Sequence, residues 1–458
     1  MTTTFPRTAP STLGIDARGI AAFLDALEST PGVEPHGLVL LRHGQVAAEG
    51  WWRPYDRDRV HLLYSLSKSF TAAAVGIAVR EGRIDLDATV LSYFPELDAE
   101  VTDDRSRRIR VRHLLAMASG HREETIDRVR ALDPEDTVRG FLLLPPDEEP
   151  GTVFAYNQPC TYTLGAIVRR VSGVSLVEYL RPRLLDPLGI DDLAWRRDDS
   201  GAELGYSGCY ATTESVAKLG QLYLQRGVWD GERILDEGWV AAATSTQVAN
   251  PDEANPDWRQ GYGFQFWMAR HGFRGDGAYG QFCVVLPEQD VVLAITGQSL
   301  DMQAVLDAAW QHLLPAVDAD TAGDTGLEAR LASLGLPAVA GGRLPDLAAA
   351  GPFRLRAGAA LDRVGFQRDA DGLRLGFSAD GAPERVSVPV GEGEWAVDHG
   401  LAASGATQPD GTVLVALRFL ETPHLLWLSV DPTAGTVGGR WKTEPLHDGA
   451  SSLHRPAD

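Results

Sequence analysis

Leu63-Tyr-Ser-Leu-Ser-Lys-Ser-Phe70 is the stretch on which the reading of this chain turns. It contains Ser65-x-x-Lys68 and opens an alanine-rich run that continues to Arg80 and stops at Gly82. The pattern predicts a helix over residues 65–80. Positions i and i+3 share one helix face, which brings the Lys68 amine within reach of the Ser65 hydroxyl. A serine at a helix start stands where unpaired N–H groups and the positive end of the helix dipole point outward, a place suited to holding an oxyanion. The same field, with burial, lowers the proton affinity of the lysine toward that of a general base. The plain alternative is an N-cap serine followed by an exposed lysine. Lysine usage weighs against it, because of 42 Lys and Arg residues only Lys68, Lys218 and Lys442 are lysines. Arginine stays protonated and cannot serve as a base, so a lysine at this position is not readily exchanged.

Outward from this stretch, residues 16–27 read as a helix, with Ile20, Phe23, Leu24 and Leu27 at helical spacing. Apolar runs at 38–41 and 46–52 flank the turn pair His43-Gly44 and predict a hairpin. From Asp85 to about Gln260 the chain shows short helical patterns broken by Gly and Pro. Strands are expected at 263–268, 281–286 and 291–296, with a closing helix at 302–314. Strands at both ends with helices between them imply an α+β fold, an antiparallel sheet flanked by helices with a helical subdomain. Residues 1–315 form this expected domain. Residues 316–350, rich in Ala, Gly, Pro and Asp, read as a linker with a short helix around 327–334. Residues 351–458 read as a small all-β domain, with strand-like runs at 363–367, 373–377, 386–390, 412–420 and 425–430.

Composition narrows the function classes. A chain of 458 residues exceeds one ordinary core, and 44% hydrophobic with 23% charged residues marks a globular protein. A net charge of -21 argues against a nucleic-acid partner, since affinity for phosphate backbones rests on Lys and Arg. No apolar run reaches the roughly 18–20 residues of a bilayer span, so no membrane partner is expected. The opening Met1-Thr-Thr-Thr-Phe-Pro-Arg7 has no apolar core of the secretory kind. Three cysteines, Cys160, Cys209 and Cys283, are odd in number, far apart and not at metal-ligand spacing. The expectation is a reduced, cytoplasmic protein without a structural metal.

Several further stretches join Ser65-Leu-Ser-Lys68: Val111-Arg-His-Leu-Leu-Ala-Met-Ala-Ser-Gly120, Phe154-Ala-Tyr-Asn157, Leu219-Gly-Gln-Leu-Tyr223 and Gly261-Tyr-Gly-Phe-Gln-Phe-Trp267. In this order and spacing, over about residues 10–315, the chain resembles the serine β-lactamase-like family. That family includes class C β-lactamases, penicillin-binding-protein-type peptidases and many esterases. The resemblance implies the β-lactamase/transpeptidase-like fold and a covalent acyl-enzyme. Its second motif, Tyr-x-Asn, matches Tyr156-Asn157-Gln158, so Tyr156 is implied as the catalytic tyrosine. Gln158 stands where the pattern has Asn, one methylene longer but still an amide. Its third motif, usually Lys-Thr-Gly or His-x-Gly on a strand lining the site, matches Gly275-Asp276-Gly277. No cation occupies that motif. Asp276, if it faced the site, would repel a carboxylate, which argues against penicillins, cephalosporins and peptide carboxylates as preferred substrates. Asp276, Gly277 and Gln158 are therefore expected to border the substrate. The backbone N–H of Ala278 is implied to pair with that of Ser65 as the oxyanion hole.

Gly275 to Gly280 also spells Gly-x-Gly-x-x-Gly, but the dinucleotide fingerprint opens a helix, and residues 281–286 read as a strand. The glycines fit close packing and a bulge beside the site instead. Neither Gly-x-Ser-x-Gly nor His-Glu-x-x-His occurs. His113 reads as a packed core histidine, His121 and Glu123 as cleft-border candidates, and Trp51, Trp52, Tyr206 and Trp267 as pocket or core aromatics. The expected activity is that of a serine hydrolase on esters or amides, esterase-type, needing no metal or organic cofactor. Its partner is a small-molecule ester or amide, and a homo-oligomer is compatible with the sequence. An amidase or acyltransferase, including one that cyclises peptides, stands second, a β-lactamase third. A non-hydrolytic acyl-binding or sensor protein is the reading from a different class.

Overall fold

The computed structural model describes residues 4–347, 353–354, 363–370, 372–378, 386–446 and 453–456. The first helix, α1 (Ala17–Ser29), is capped by the Asp16 carboxylate, which accepts from the Arg18 N–H, and buries Ile20, Phe23, Leu24 and Leu27. Strands β1 (Pro35–Arg42) and β2 (Gln45–Trp51) follow as a hairpin. Its turn residues His43 and Gly44 both have positive φ, 51° and 68°, the geometry a tight two-residue turn demands. The helix expected over 65–80 begins as a 3-10 turn, Tyr64–Leu66, and becomes α-helical as α2 (Ser67–Arg80). It is buried almost all round, which small side chains at Ala72, Ala73, Ala74, Gly76 and Ala78 allow. Helix α3 (Gln158–Ser172) packs against α2.

Past the helical region, the strand expected over 263–268 shrinks to β3 (Trp267–Met268). Strand β4 (Phe273–Gly277), β5 (Gln281–Leu286) and β6 (Val291–Gly297) complete a six-stranded antiparallel sheet in the order β2-β1-β6-β5-β4-β3. Alternate residues serve opposite faces. Val39, Leu41, Cys283, Val285, Val292 and Ala294 join the core around α2. Leu38, Leu40, Phe282, Val284, Leu293 and Ile295 join a second core with α1 and the C-terminal helix Met302–Ala308, which runs on through a π turn to Leu313.

Of residues 316–350, expected to act as a linker, the described part, to residue 347, is packed rather than loose. Leu327 and Leu334 are buried in the second core, and a Cβ on Gly50 of β2 would lie 2.4 Å from Leu334. Beyond them, antiparallel strands follow one another in chain order in two sheets. One runs from Phe353–Arg354 to Val386–Pro389 and the other from Ala396–Asp398 to Thr436–Trp441. The strand Leu401–Thr407 had no sequence signal, because Ala, Gly and Ser carry little β propensity. This sheet region is tied to the connection between α1 and β1 at Glu34, whose carboxylate accepts from Arg418 at 2.7 Å and Lys442 at 2.5 Å. Among the described residues no helix is long and apolar enough to cross a membrane.

Candidate active site

The turn that carries Ser65 is pinned on both sides. Leu63 N–H donates to the Cys209 carbonyl at 2.8 Å, and Leu66 N–H closes back on the Leu63 carbonyl at 3.1 Å. The buried Ser67 hydroxyl donates to the Tyr64 carbonyl and accepts from the Cys209 N–H at 3.0 Å. Ser65 remains partly exposed, so a substrate can reach its hydroxyl. In the 3-10 turn residues i and i+3 nearly eclipse, which places Lys68 over Ser65 more directly than an ideal α-helix does.

Lys68 is 1% exposed. Its ammonium has three protons and three acceptors: Ser65 Oγ at 3.1 Å, Gln158 Oε1 at 2.6 Å and the Tyr206 carbonyl at 2.9 Å. None of the three is charged. Burial therefore dominates and pushes the lysine down to about 7, against the opposing pull of Glu124 and Asp276. The Tyr156 ring lies 4.6 Å from Nζ, and its hydroxyl is in hydrogen-bonding contact with Ser65. Burial, with the Asp276 charge, raises this phenol above its ordinary value despite the Ser65 contact. The two groups thus diverge, as an acid and a base sharing one site must. Near neutral pH the amine can lose its proton, and the phenol keeps its own.

Gln158 opens α3, and only its amide oxygen can face the ammonium, since an ammonium donates and never accepts. The preceding Asn157 is fully buried and has a different task. Its Oδ1 accepts from the Thr125 N–H at 3.0 Å and hydroxyl at 2.9 Å, tying the 121–125 loop to α3. That loop delivers Glu124, one residue beyond the expected Glu123. The Glu124 carboxylate accepts from the Gln158 N–H at 3.0 Å and faces Lys68 electrostatically, whereas Glu123 pairs with Arg128 in solvent.

Strand β4 closes the site from the far side. A Cβ on Gly277 would stand 2.0 Å from the Leu63 carbonyl oxygen, and one on Gly275 would stand 2.5 Å from Leu66 Cδ1. Both glycines thus permit close packing, as expected. The ladder between β4 and β5 is regular to Gly277↔Gln281, so the turn Ala278-Tyr279-Gly280 takes the place of the expected bulge. Ala278 lies just past the last ladder pair, beside the Ser65 turn. Asp276 is buried and ion-paired, so Arg274 offsets its charge at the site. Its carboxylate accepts from Arg274 Nε at 3.0 Å and from the Trp267 side chain. Arg274 is itself fully buried, its guanidinium 4.2 Å from the Trp258 ring and bonded to the Asp257 and Met268 carbonyls, so it neutralises Asp276 and does not replace the motif's cation.

The remaining candidates separate clearly. Trp267 stacks on Tyr156 at 5.3 Å, and Tyr206 supplies the carbonyl that holds Lys68. Trp52 is core, its indole N–H on Glu28, and Trp51 lies under Arg57. His113 is a half-buried cap whose Nδ1 accepts from the Arg110 N–H, and His121 is buried on Ser119. Arg274, Glu124 and the Tyr206 carbonyl escaped the sequence reading. A backbone carbonyl has no side-chain signature, and Glu124 differs from its neighbour Glu123 only in the direction the loop gives it.

Comparison with known proteins agrees with this geometry. The Beta-lactamase family profile matches residues 20–316. The chain belongs to that family. It is 31% identical to 6-aminohexanoate-dimer hydrolase of Paenarthrobacter ureafaciens over 282 residues, 56% of this chain and 70% of that one. It is 28% identical to Esterase EstB of Burkholderia gladioli over 210 residues, 40% of this chain and 53% of that one. Among solved structures it resembles the octameric penicillin-binding protein homologue from Pyrococcus abyssi. That match has a TM-score of 0.50 at 18% identity and covers 89% of this chain and 97% of that one. The chain is therefore an enzyme of the serine hydrolase kind, built on the β-lactamase/transpeptidase-like α+β fold with additional C-terminal sheets.

Proposed function

We propose that the family member described here hydrolyses esters or amides through an acyl-enzyme on Ser65, with esterase-type activity foremost. One observation carries this reading: the Lys68 amine sits 3.1 Å from Ser65 Oγ with only neutral hydrogen-bond partners. As Ser65 Oγ bonds to the substrate carbonyl carbon, its proton passes to neutral Lys68. The carbonyl oxygen takes the electron pair and rests on the N–H groups of Ser65 and Ala278. Collapse of this intermediate expels the alcohol or amine, which receives a proton from Tyr156, resupplied by Lys68. Water then attacks the acyl carbon by the reverse proton path and frees Ser65.

Beside the site, a cavity of about 680 Å³ is lined by Ile126, Arg130, Tyr162, Asp198, Leu204 and Tyr206. Tyr206 belongs to both, with its carbonyl on Lys68 and its hydroxyl on Arg130 at 3.3 Å. It gives room for a sizeable acyl or leaving group. Three buried free thiols suit a reducing, cytoplasmic setting. The likeness to 6-aminohexanoate-dimer hydrolase supports amide cleavage as the second reading.

The test is turnover of p-nitrophenyl acetate and butyrate together with labelling by a fluorophosphonate probe. Both should be lost in Ser65→Ala. Labelling that persists in the mutant overturns the assignment. Nitrocefin hydrolysis rivalling ester turnover would promote the β-lactamase reading, and amide substrates outrunning esters would promote the amidase.

A further inference from the structure

Two tyrosines have backbone angles that L side chains seldom adopt, Tyr64 at φ 48° and Tyr279 at φ 65°. Their positions are specific. The peptide plane that bears the Ser65 amide ends on the Cα of Tyr64. Ala278 is held between Gly277, wedged against Leu63, and Tyr279. An uncommon backbone conformation persists where its surroundings over-determine it. For both tyrosines a decisive part of those surroundings comes from the C-terminal sheet region, more than 140 residues away in sequence.

The Tyr279 hydroxyl donates to the Glu444 carbonyl at 2.6 Å, while its own carbonyl accepts from the Ser299 N–H at 2.7 Å. The Tyr64 hydroxyl meets His424 Nε2 at 2.7 Å. The direction of that bond follows from the other ring nitrogen. His424 Nδ1 lies 3.0 Å from the Thr443 carbonyl, which can only accept, so Nδ1 holds the proton and Nε2 accepts from the phenol. Leu446 N–H approaches the same phenol oxygen at 3.4 Å. The rings of Tyr64, Tyr279 and His424 pack edge to face in a closed triangle, with centroids 5.6, 5.8 and 5.9 Å apart. Thr443 anchors the segment that carries Glu444, donating to the Pro423 carbonyl at 2.8 Å and accepting from Gln298, just past β6.

We infer that the C-terminal region sets the oxyanion hole: His424 and the Glu444 carbonyl are positioning groups that hold Tyr64 and Tyr279, and through them the Ser65 and Ala278 amides. A domain attached only for stability could dock anywhere on the first domain. Here, besides the ion pairs at Glu34, its polar contacts reach both residues that flank the donors, Tyr64 and Tyr279. The inference rests on the hydrolase reading above, because it assigns a role within that site.

The experiment compares Tyr279→Phe and Tyr64→Phe with wild type, each removing one hydroxyl and keeping the ring. With p-nitrophenyl butyrate we expect kcat to fall about tenfold to a hundredfold in each, less than outright loss of an oxyanion donor, with KM within about twofold. The Ki of an alkylboronic acid, which mimics the tetrahedral intermediate, should rise by the factor that kcat/KM falls, and the melting temperature should stay near that of wild type. Unchanged kcat in both variants overturns the inference. So does a lowered melting temperature with kcat per folded molecule unchanged, the mark of a purely structural attachment. Wild-type enzyme lacking Ser65-dependent turnover would instead remove the hydrolase reading, and this inference with it.

Discussion

Replacing Gly277 with alanine isolates the approach of β4 to the nucleophile turn. The new Cβ would stand 2.0 Å from the Leu63 carbonyl oxygen and 3.1 Å from the Leu66 nitrogen. Both are backbone atoms. Leu63 cannot swing aside, because its N–H is held by Cys209 and its carbonyl by the Leu66 N–H. Since real Cβ atoms keep 3.0 Å or more from such neighbours, the strand end must retreat by about 1 Å. Ala278 travels with it. An N–H···O contact of about 2.9 Å stretched by that amount is no longer a hydrogen bond. Losing one oxyanion donor lowers kcat by about 100- to 1,000-fold, while overpacking costs about 1–3 kcal/mol of stability. The assay is kcat for p-nitrophenyl butyrate, corrected by active-site titration, alongside the melting temperature. Gly238→Ala is the control, since nothing lies within 4 Å of a Cβ there, and it should match wild type. A Gly277→Ala enzyme within threefold of wild-type kcat, equally stable, would refute the wedge and the donor at Ala278 together.

Other outcomes follow from charge. Lys68, held at about 7 by burial, must be neutral to accept the Ser65 proton, so kcat/KM should rise with pH through about 7 and level off above it. Glu124→Gln removes a carboxylate that pulls the lysine upward, so the midpoint should move to lower pH; a pH-rate profile that stays fixed or moves up contradicts this. Stability should fall on acidification for a separate reason. Burial, against the opposing Glu34 hydrogen bond, holds His36 at about 4, below its ordinary value of 6.5. The unfolded chain therefore binds a proton below 6.5 that the folded chain refuses until about 4, a loss of about 3 kcal/mol across that interval. Urea unfolding at pH 7, 5.5 and 4 should show this slope, reduced in His36→Asn; an equal slope in the variant removes His36 as its source.

Much of the sheet was legible because its residues alternate or run apolar, as at residues 38–41, 281–286 and 291–296. Strand β4 was not, since Phe273-Arg-Gly-Asp-Gly277 has neither alternation nor β propensity. Only its resemblance to a family motif placed it on a strand. At the site, Ser65 and Lys68 were readable from their i, i+3 spacing, whereas Tyr156 and Gln158 were indicated only by the resemblance to the family's Tyr-x-Asn motif. The groups acting through backbone atoms or across domains were not. Tyr206 contributes a carbonyl, and His424 reaches Tyr64 from 360 positions away. The charge at Asp276 was misread for a related reason. Period two puts Arg274 on the same face of the strand, so the isolated acid of the motif is half of an ion pair.

The bare Cα at position 275 bears on how this lineage can change. A lysine there, as in the Lys-Thr-Gly motif, would begin with a Cβ 2.5 Å from Leu66 Cδ1 and 2.6 Å from Ser69 Oγ. A cation at that point therefore depends on how far the buried ends of the Leu66 and Ser69 side chains can rotate aside.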